Sequence, residues 1–318
     1  MIKKKFKITL LVALIIIVSL FSFGGFAAEG EIIFALSQRT LEHAVHQIYA
    51  NLPQELAKKD GYKMLFASAD LDPAKQASDL EDMLSKGANA FIIVPQNKDQ
   101  IVPSIAKINE KGFPVVALDC TPAGGNFLFV GANTVLSGEL NAEYIFSKLN
   151  GSGKVFFIVG DPAHEYAIRF TTGYKNILKN YPNIEVVAEQ GAWWQTDQAL
   201  KLVEDLLLVN PDVKAILCNN DLMAIGAVEA LKEAGYKPGE VLVSGGDGDK
   251  AVLNLIKEGW ITCTIDKMPD LEATTAYNTA LALAKGEKVE CVYSTGGPQI
   301  LTEVLLLNVD NVDTRPGY

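Results

Sequence analysis

From residue 31 onward one alternation fills the chain. A short apolar run is followed by a polar tip, then by a segment whose apolar residues return every three or four positions. Apolar runs at 31–36, 64–68, 90–94, 114–118, 127–130, 154–159, 184–188, 213–218, 241–244 and 260–265 read as strands. Helical spacing follows at 40–59, 73–86, 99–111, 135–149, 167–179, 196–209, 222–234, 251–258 and 269–285. Pro53 should kink or split the first helix. Asp72-Pro73 supplies a cap and a first turn for the second. The tail 289–309 reads as irregular or strand-like. Strand–helix alternation with short connections implies parallel sheets wound by right-handed crossovers and covered by helices on both faces.

The stretch 213–250 organises the rest. A strand ends at the tip Asn219-Asn220-Asp221, a helix runs to Gly235, and a second strand ends at Gly245-Gly246-Asp247-Gly248-Asp249. Ligands of open parallel sheets bind beyond the carboxyl ends of the strands. Amides and carboxylates at those ends hold hydroxyl-rich molecules by neutral and charge-assisted hydrogen bonds. The pattern predicts a binder of a small polyhydroxylated ligand.

The first 27 residues stand apart. Lys3-Lys4-Lys5 and Lys7 precede an almost continuous apolar run over 8–23, and Gly24-Gly25-Phe26-Ala27-Ala28 offers small residues for cleavage after Ala27. The run is short for a membrane span of ~20 residues, and no stop-transfer charges follow it. A cleavable signal peptide over 1–27 and a periplasmic mature protein are expected. No cysteine closes the run, so a lipid anchor is not. The mature length of about 290 residues suggests two domains. The net charge of −10 grows more negative once the leader lysines leave, which disfavours a nucleic-acid partner. Cys120, Cys218, Cys263 and Cys291 lack metal-ligand spacing, and the first three fall in or just after strand-like runs, where a free thiol packs as a small hydrophobe.

Other motifs point away from catalysis and cofactors. The sequence 246–251 loosely fits a dinucleotide fingerprint, but Asp247 and Asp249 would face the pyrophosphate. Gly151-Ser152-Gly153-Lys154 lacks the Ser or Thr of a phosphate loop and reads as a turn. His43 and His46 share a helical face as metal ligands can, with no further ligand pattern to support them. No HExxH, GxSxG or Cys–His arrangement is present, and Asp247 with Asp249 forms no placeable acid–base pair for glycoside hydrolysis. No enzyme, metal or cofactor is expected. Of Trp193-Trp194, one ring should pack into a core and Trp194 should offer its face to the ligand.

Several segments, taken in order, carry a resemblance: PVVALD, GANTVLSGE, PDVKAILCNNDLMAIGAVEALKEAG, VLVSGGDGDKAVLNLIKEG, TIDKMPD and AKGEKV. They resemble the ribose-type periplasmic binding proteins, the type I sugar-binding family that shares its fold with the effector domains of LacI-type repressors. The likeness spans 31–289, and an export signal stands where the repressors carry a DNA-binding head. It implies two Rossmann-like lobes, 28–132 plus 267–296 and 133–266 plus 297–318. The three crossings should fall at Ala132–Asn133, Asp266–Lys267 and Gly296–Gly297. It also implies a sugar or polyol ligand between the lobes and delivery to an ABC permease. The alternative is a receptor feeding a sensor kinase or chemoreceptor, and a monomer is expected in either case.

Position by position, the resemblance gives Asp119, Asn220 and Asp247 as hydroxyl-binding residues and Trp194 as the aromatic wall. His43 and His46 occupy positions of asparagine and phenylalanine, and Lys267 replaces a glutamine. Cys120 and Phe170 stand where ribose binders carry arginine, and Arg169, one residue displaced, is the remaining candidate.

Overall fold

The computed structural model describes residues 18–21, 30–294 and 296–318. The expected leader over 1–27 lies outside the described residues except for 18–21. The apolar runs form strands that sort into two sheets. The first contains β1 (Val18–Phe21), β2 (Ile33–Gln38), β3 (Lys63–Ser68), β4 (Ala90–Ile93), β5 (Val115–Leu118) and β6 (Leu128–Ala132), joined by β12 (Val289–Ser294) and β13 (Gly297–Thr302). Its order is β1-β12-β13-β6-β5-β4-β2-β3. The second contains β7 (Ser152–Val159), β8 (Asn183–Gly191), β9 (Ala215–Cys218), β10 (Leu242–Ser244), β11 (Cys263–Asp266) and β14 (Leu305–Asn308), in the order β14-β11-β10-β9-β7-β8. Parallel pairs dominate both sheets. The antiparallel pairs lie at one edge of each, β1–β12 and β12–β13 in the first and β11–β14 in the second.

Strand periodicity explains why each sheet is covered twice. Phe34, Leu36, Ile92 and Val94 point into a core with α1 (Ala44–Lys59) and α9 (Pro269–Ala284), where Tyr49, Tyr277 and Leu283 are buried. Their neighbours Ala35, Phe91 and Ile93 point the other way, against α2 (Pro73–Ser85) and α3 (Val102–Glu110). The second sheet repeats the division. Phe156 and Ile158 meet α6 (Thr196–Val209), α7 (Asp221–Glu233) and α8 (Lys250–Lys257), whereas Val155 and Phe157 meet α4 (Thr134–Lys148) and α5 (Glu165–Leu178). Side chains alternate across a strand, so a run apolar at every position needs helices on both faces. Among the described residues, no helix is long and apolar enough to cross a membrane.

Local signals act largely as read, with two differences. Asp72 caps α2, its Oδ1 accepting from the N–H groups of Ala74 at 2.8 Å and Lys75 at 3.3 Å. Pro53 does not divide the first helix, which runs unbroken from Ala44 to Lys59 with the proline buried inside it. The chain leaves the first sheet after Ala132 and returns to it after Asp266. Its last crossing falls between Thr302 and Leu305, not at Gly296–Gly297. The reason is pairing: β13 lies parallel to β6, with Gln299 opposite Phe129 and Thr302 opposite Ala132, which keeps 297–302 in the first sheet. The second crossing is braced by Arg315, whose Nε donates to Asp266 Oδ2 at 2.6 Å and whose Nη2 donates to Asp270 Oδ1 at 2.7 Å.

The helix pair α4–α5 sets the tightest packing constraint. A Cβ on Gly138 would lie 2.0 Å from the Phe170 carbonyl oxygen, and one on Gly173 would lie 2.3 Å from the carbonyl oxygen of Val135. The two backbones touch, and no side-chain rotation relieves a methyl group there. Gly173→Ala should therefore destabilise the fold by about 1–3 kcal/mol, the usual cost of overpacking. Chemical denaturation would show a lower midpoint at an unchanged slope, and an unchanged midpoint would contradict the packing described.

Candidate functional site

A cavity of about 340 Å³ opens where the carboxyl ends of the two sheets face each other. That is near the small end of the ~300–1,000 Å³ range of ligand pockets and suits a monosaccharide-sized molecule. The first sheet contributes Arg39, Thr40, Glu42, His43 and His46 from the β2–α1 segment and Asp119 from the end of β5. The second contributes Trp194 and Gln195 after β8, Asn220 after β9, and Asp247 and Asp249 after β10, with His164 and Tyr166 at the start of α5. Lys267 reaches in from the second crossing.

The floor is a buried ion pair. Lys267 Nζ donates to Asp119 Oδ1 at 2.7 Å, and the two side chains are only 6% and 11% exposed. The ammonium also lies 5.5 Å from the Tyr49 ring centre and 5.1 Å from that of Tyr166. Asp119 can reach this position because its backbone is left-handed, with φ 68°. Burial alone would raise the Asp119 carboxyl, but the charge and hydrogen bond of Lys267 hold it well below the usual carboxylate range. Burial would likewise lower the Lys267 ammonium, and Asp119, followed by Glu272, keeps it well above its ordinary value. Behind the pair, Glu272 accepts from the Tyr49 hydroxyl and from the N–H of Ala132 at 2.5 Å.

The opposite wall hangs on Asp221. Fully buried, it accepts from the N–H groups of Gly248 at 2.8 Å and Asp249 at 2.7 Å and from Thr264 Oγ1 at 2.6 Å. One carboxylate thus joins the tip of β9 to the loop after β10 and to β11. Asn220 caps α7 with its side-chain oxygen on the N–H of Met223 at 3.0 Å, leaving its amide nitrogen for the cavity. Trp194 rests in a seat made by Gly160, where a Cβ would come within 2.2 Å of the indole. The edges of its ring meet His164 at 5.8 Å and Tyr166 at 5.9 Å between centres.

Seven of the eight residues proposed from sequence line this cavity: Asp119, Asn220, Asp247, Lys267, Trp194, His46 and His43. Arg169 does not. It turns along its own helix to Glu165 at 3.4 Å, because the inward position of that turn belongs to Phe170, which is fully buried against Tyr166, Tyr174 and Gly246. The tryptophan pair also differs from expectation. Trp193 is half exposed instead of packed in a core, since consecutive left-handed residues at 193 and 194 turn its side chain outward. Asp249 occupies the N-cap position of α8 but makes no capping bond, and its carboxylate faces the cavity. Periodicity missed Arg39, Glu42, His164, Tyr166 and Asp249. The rule that ligands sit beyond strand ends could have found Arg39, the residue after β2.

Burial sets the charge states. His46 is pushed down to about 3 and is neutral, with Nδ1 unpartnered. Burial, then the neighbouring Asp119, pushes the Cys120 thiol up to about 12, and its Sγ lies 3.9 Å from Arg39 Nη1 and 3.8 Å from His164 Nε2. All four cysteines are free thiols. Burial, then repulsion from Asp249, lifts Asp247 well above the carboxylate range. Among the described residues, no group of His, Cys, Asp and Glu side chains is arranged to hold a metal ion.

A family model described as periplasmic binding protein domain matches residues 34–288. The chain is 31% identical over 261 residues to the ribose import binding protein of Bacillus subtilis, covering 82% of this chain and 84% of that protein. Two solved solute-binding proteins of ABC transporters share the architecture, each with TM-score 0.81 at 26% identity. One, from Actinobacillus succinogenes with bound D-allose, covers 90% of this chain and 100% of its own. The other, from Bacillus halodurans with bound myo-inositol, covers 91% and 98%.

Two buried carboxyls set a pH dependence. Burial, followed by the charge of Asp119, lifts Glu272 to about 7, and burial with Asp249 lifts Asp221 to about 7. In the unfolded chain both would titrate at about 4. The native state therefore holds protons that the unfolded state releases, and the stability they contribute is complete below about pH 4 and lost as pH rises through about 7. Calorimetry of the ligand-free protein should show a higher Tm near pH 5.5 than near pH 8, with a shallower slope in Glu272→Gln. A Tm that climbs over that interval would contradict these environments.

Proposed function

The chain belongs to the periplasmic binding protein family, and we propose that it captures a sugar or sugar-like polyol between its two lobes outside the cytoplasm and presents it to the permease of an ABC importer. The observation that carries this reading is the convergence in one cavity of hydroxyl-binding groups from both sheets with an aromatic face: Asp119 and Lys267 on one side, Asn220, Asp247 and Trp194 on the other. Relatives that bind ribose, D-allose and myo-inositol support the ligand class. In this reading Asp119 and Lys267 hold ligand hydroxyls by charge-assisted bonds, Asp247 bonds hydroxyls through its carboxyl, Asn220 donates from its amide nitrogen, and the Trp194 ring packs on the C–H face of the sugar. His43 and His46 complete the wall on the first lobe.

Lobe closure follows from the same geometry. A ligand bonded to both walls has more contacts in the closed state, and it shifts the equilibrium by that difference in affinity. The lobes would turn about the crossings near 133, 267 and 303. Export by a leader over 1–27 fits this role, on the strength of its lysine cluster, apolar run and small residues before Ala28.

A thermal-shift panel of pentoses, hexoses, cyclitols and linear polyols tests the proposal. A true ligand at about 100 times its Kd adds about 2.7 kcal/mol of stability. For the tightest binder, Asp247→Ala should weaken affinity about tenfold or more, because the ligand hydroxyls left unpaired in a closed cleft cost ~1–3 kcal/mol. Trp194→Ala should cost about 1–3 kcal/mol. Trp193→Ala, whose side chain faces solvent, serves as the control. Equal Kd values in all three variants would place the ligand elsewhere. Sequencing the amino terminus of the protein secreted by its host should find Ala28 first, and an intact Met1 would exclude cleavage.

A further inference from the structure

The charges lining the cleft do not balance. Asp119 and Lys267 neutralise each other at 2.7 Å, which leaves the acids Glu42, Asp247 and Asp249 against Arg39, and burial with the charge of Asp249 favours the protonated form of Asp247 in the empty cleft. Arg39 stands on the first-lobe side beside Cys120, and its field acts on Asp119, Cys120, His46 and His164. The charge of Lys267 acts on Asp247 as well as on Asp119, but among the described residues neither Asp247 nor Asp249 forms an ion pair. Asp247 accepts one long bond, at 3.4 Å from the N–H of Asp221. Asp249 leaves its helix uncapped. Directly behind them Asp221 adds a third carboxylate, and its oxygens are already occupied by Gly248, Asp249 and Thr264.

An independent observation comes from the facing wall. His46 is 8% exposed, and its Nδ1 has no partner in the protein. A buried polar atom without a partner marks a place where a bound molecule completes the hydrogen bonding. His43 lies near enough to Asp249 to act on its charge, yet the two form no ion pair. A neutral polyol would be bound with Asp247 protonated, whereas a cation on the ligand would let both neighbouring acids ionise and be paired on closure. With no metal-holding set among the described residues, the fitting cation is one carried by the ligand, and an ammonium group offers three donors.

We propose that the cleft selects a polyhydroxylated ligand bearing a protonated primary amine, an amino sugar or aminocyclitol, whose ammonium lies against Asp247 and Asp249. This rests on the sugar-binding reading given above and narrows it. The remaining hydroxyls fall to Asp119, Lys267 and Asn220, and an N–H or O–H of the ligand reaches Nδ1 of His46.

Calorimetry on matched triplets tests it: D-glucose, D-glucosamine and N-acetyl-D-glucosamine; the galactose set; and myo-inositol with its mono-amino and N-acetylamino analogues. In at least one triplet the free amine should bind ten times or more tighter than both the parent and the uncharged acetyl form. Because the preference needs the protonated amine, it should fall as pH is raised through the titration of the ligand's own amine. The ratio of amine to parent affinity should collapse in Asp249→Asn, with folding checked by Tm. If that variant does not fold, the pH series on the unaltered protein decides. Parents that bind as well as their amines in every triplet would overturn the proposal and leave the sugar-binding reading standing. A preference that survives deprotonation of the ligand amine would also overturn it. Binding by no member of any triplet would overturn the proposal, and the sugar-binding reading would fall with it only if the thermal-shift panel also showed no binder.

Discussion

The structure depends on one ion pair placed where it is expensive to keep. Asp119 and Lys267 are almost wholly removed from water, and two charges so buried are stable only if geometry and surrounding groups compensate their lost hydration. The compensation is visible: a 2.7 Å contact, two tyrosine rings under the ammonium, and the Tyr49 hydroxyl within 3.4 Å of the carboxylate. Tyr49 in turn binds Glu272, which holds the N–H of Ala132 at the first crossing. The pair therefore ties the strand end after β5 to two of the three places where the chain passes between sheets. Removing either partner would strand the other charge. Replacing both with apolar groups could preserve stability but would abolish the polar floor of the cleft.

How much of this was legible in the sequence depended on whether periodicity or side-chain direction carried the information. The strands through 265 and the helices were readable because burial on both faces writes itself as continuous apolar runs such as AFII and AILC. The tail was not. Its strands β12, β13 and β14 are short and partly exposed, so nothing in 289–309 distinguishes a strand that stays in the first sheet from one that crosses to the second.

The site divided in the same way. Asn220, Asp247 and Lys267 sit at strand ends, where the general rule for wound sheets places ligand groups. Arg169 and Trp193 were misplaced because one residue of rotation on a helix, or one left-handed step in a loop, decides which side chain faces the cavity. Asp249 did not stand out because it immediately precedes a helix, where an aspartate ordinarily serves as a cap. The structure shows the cap unmade and the carboxylate turned to the cleft.

Asp221 points to a consequence of another kind. It holds the second wall together from behind, through bonds that reach two backbone N–H groups and one hydroxyl and never enter the cavity. The side chains that do enter it, at 220, 247 and 249, are carried by that knot and contribute little to it. Substitutions at those three positions can thus rewrite what the cleft prefers while the loop carrying them keeps its course. A mutation at 221 would unpick the wall whatever the ligand. Mutational freedom and mutational constraint are separated by a single layer of atoms, which makes this scaffold easy to redirect to new small molecules over evolutionary time without refolding it.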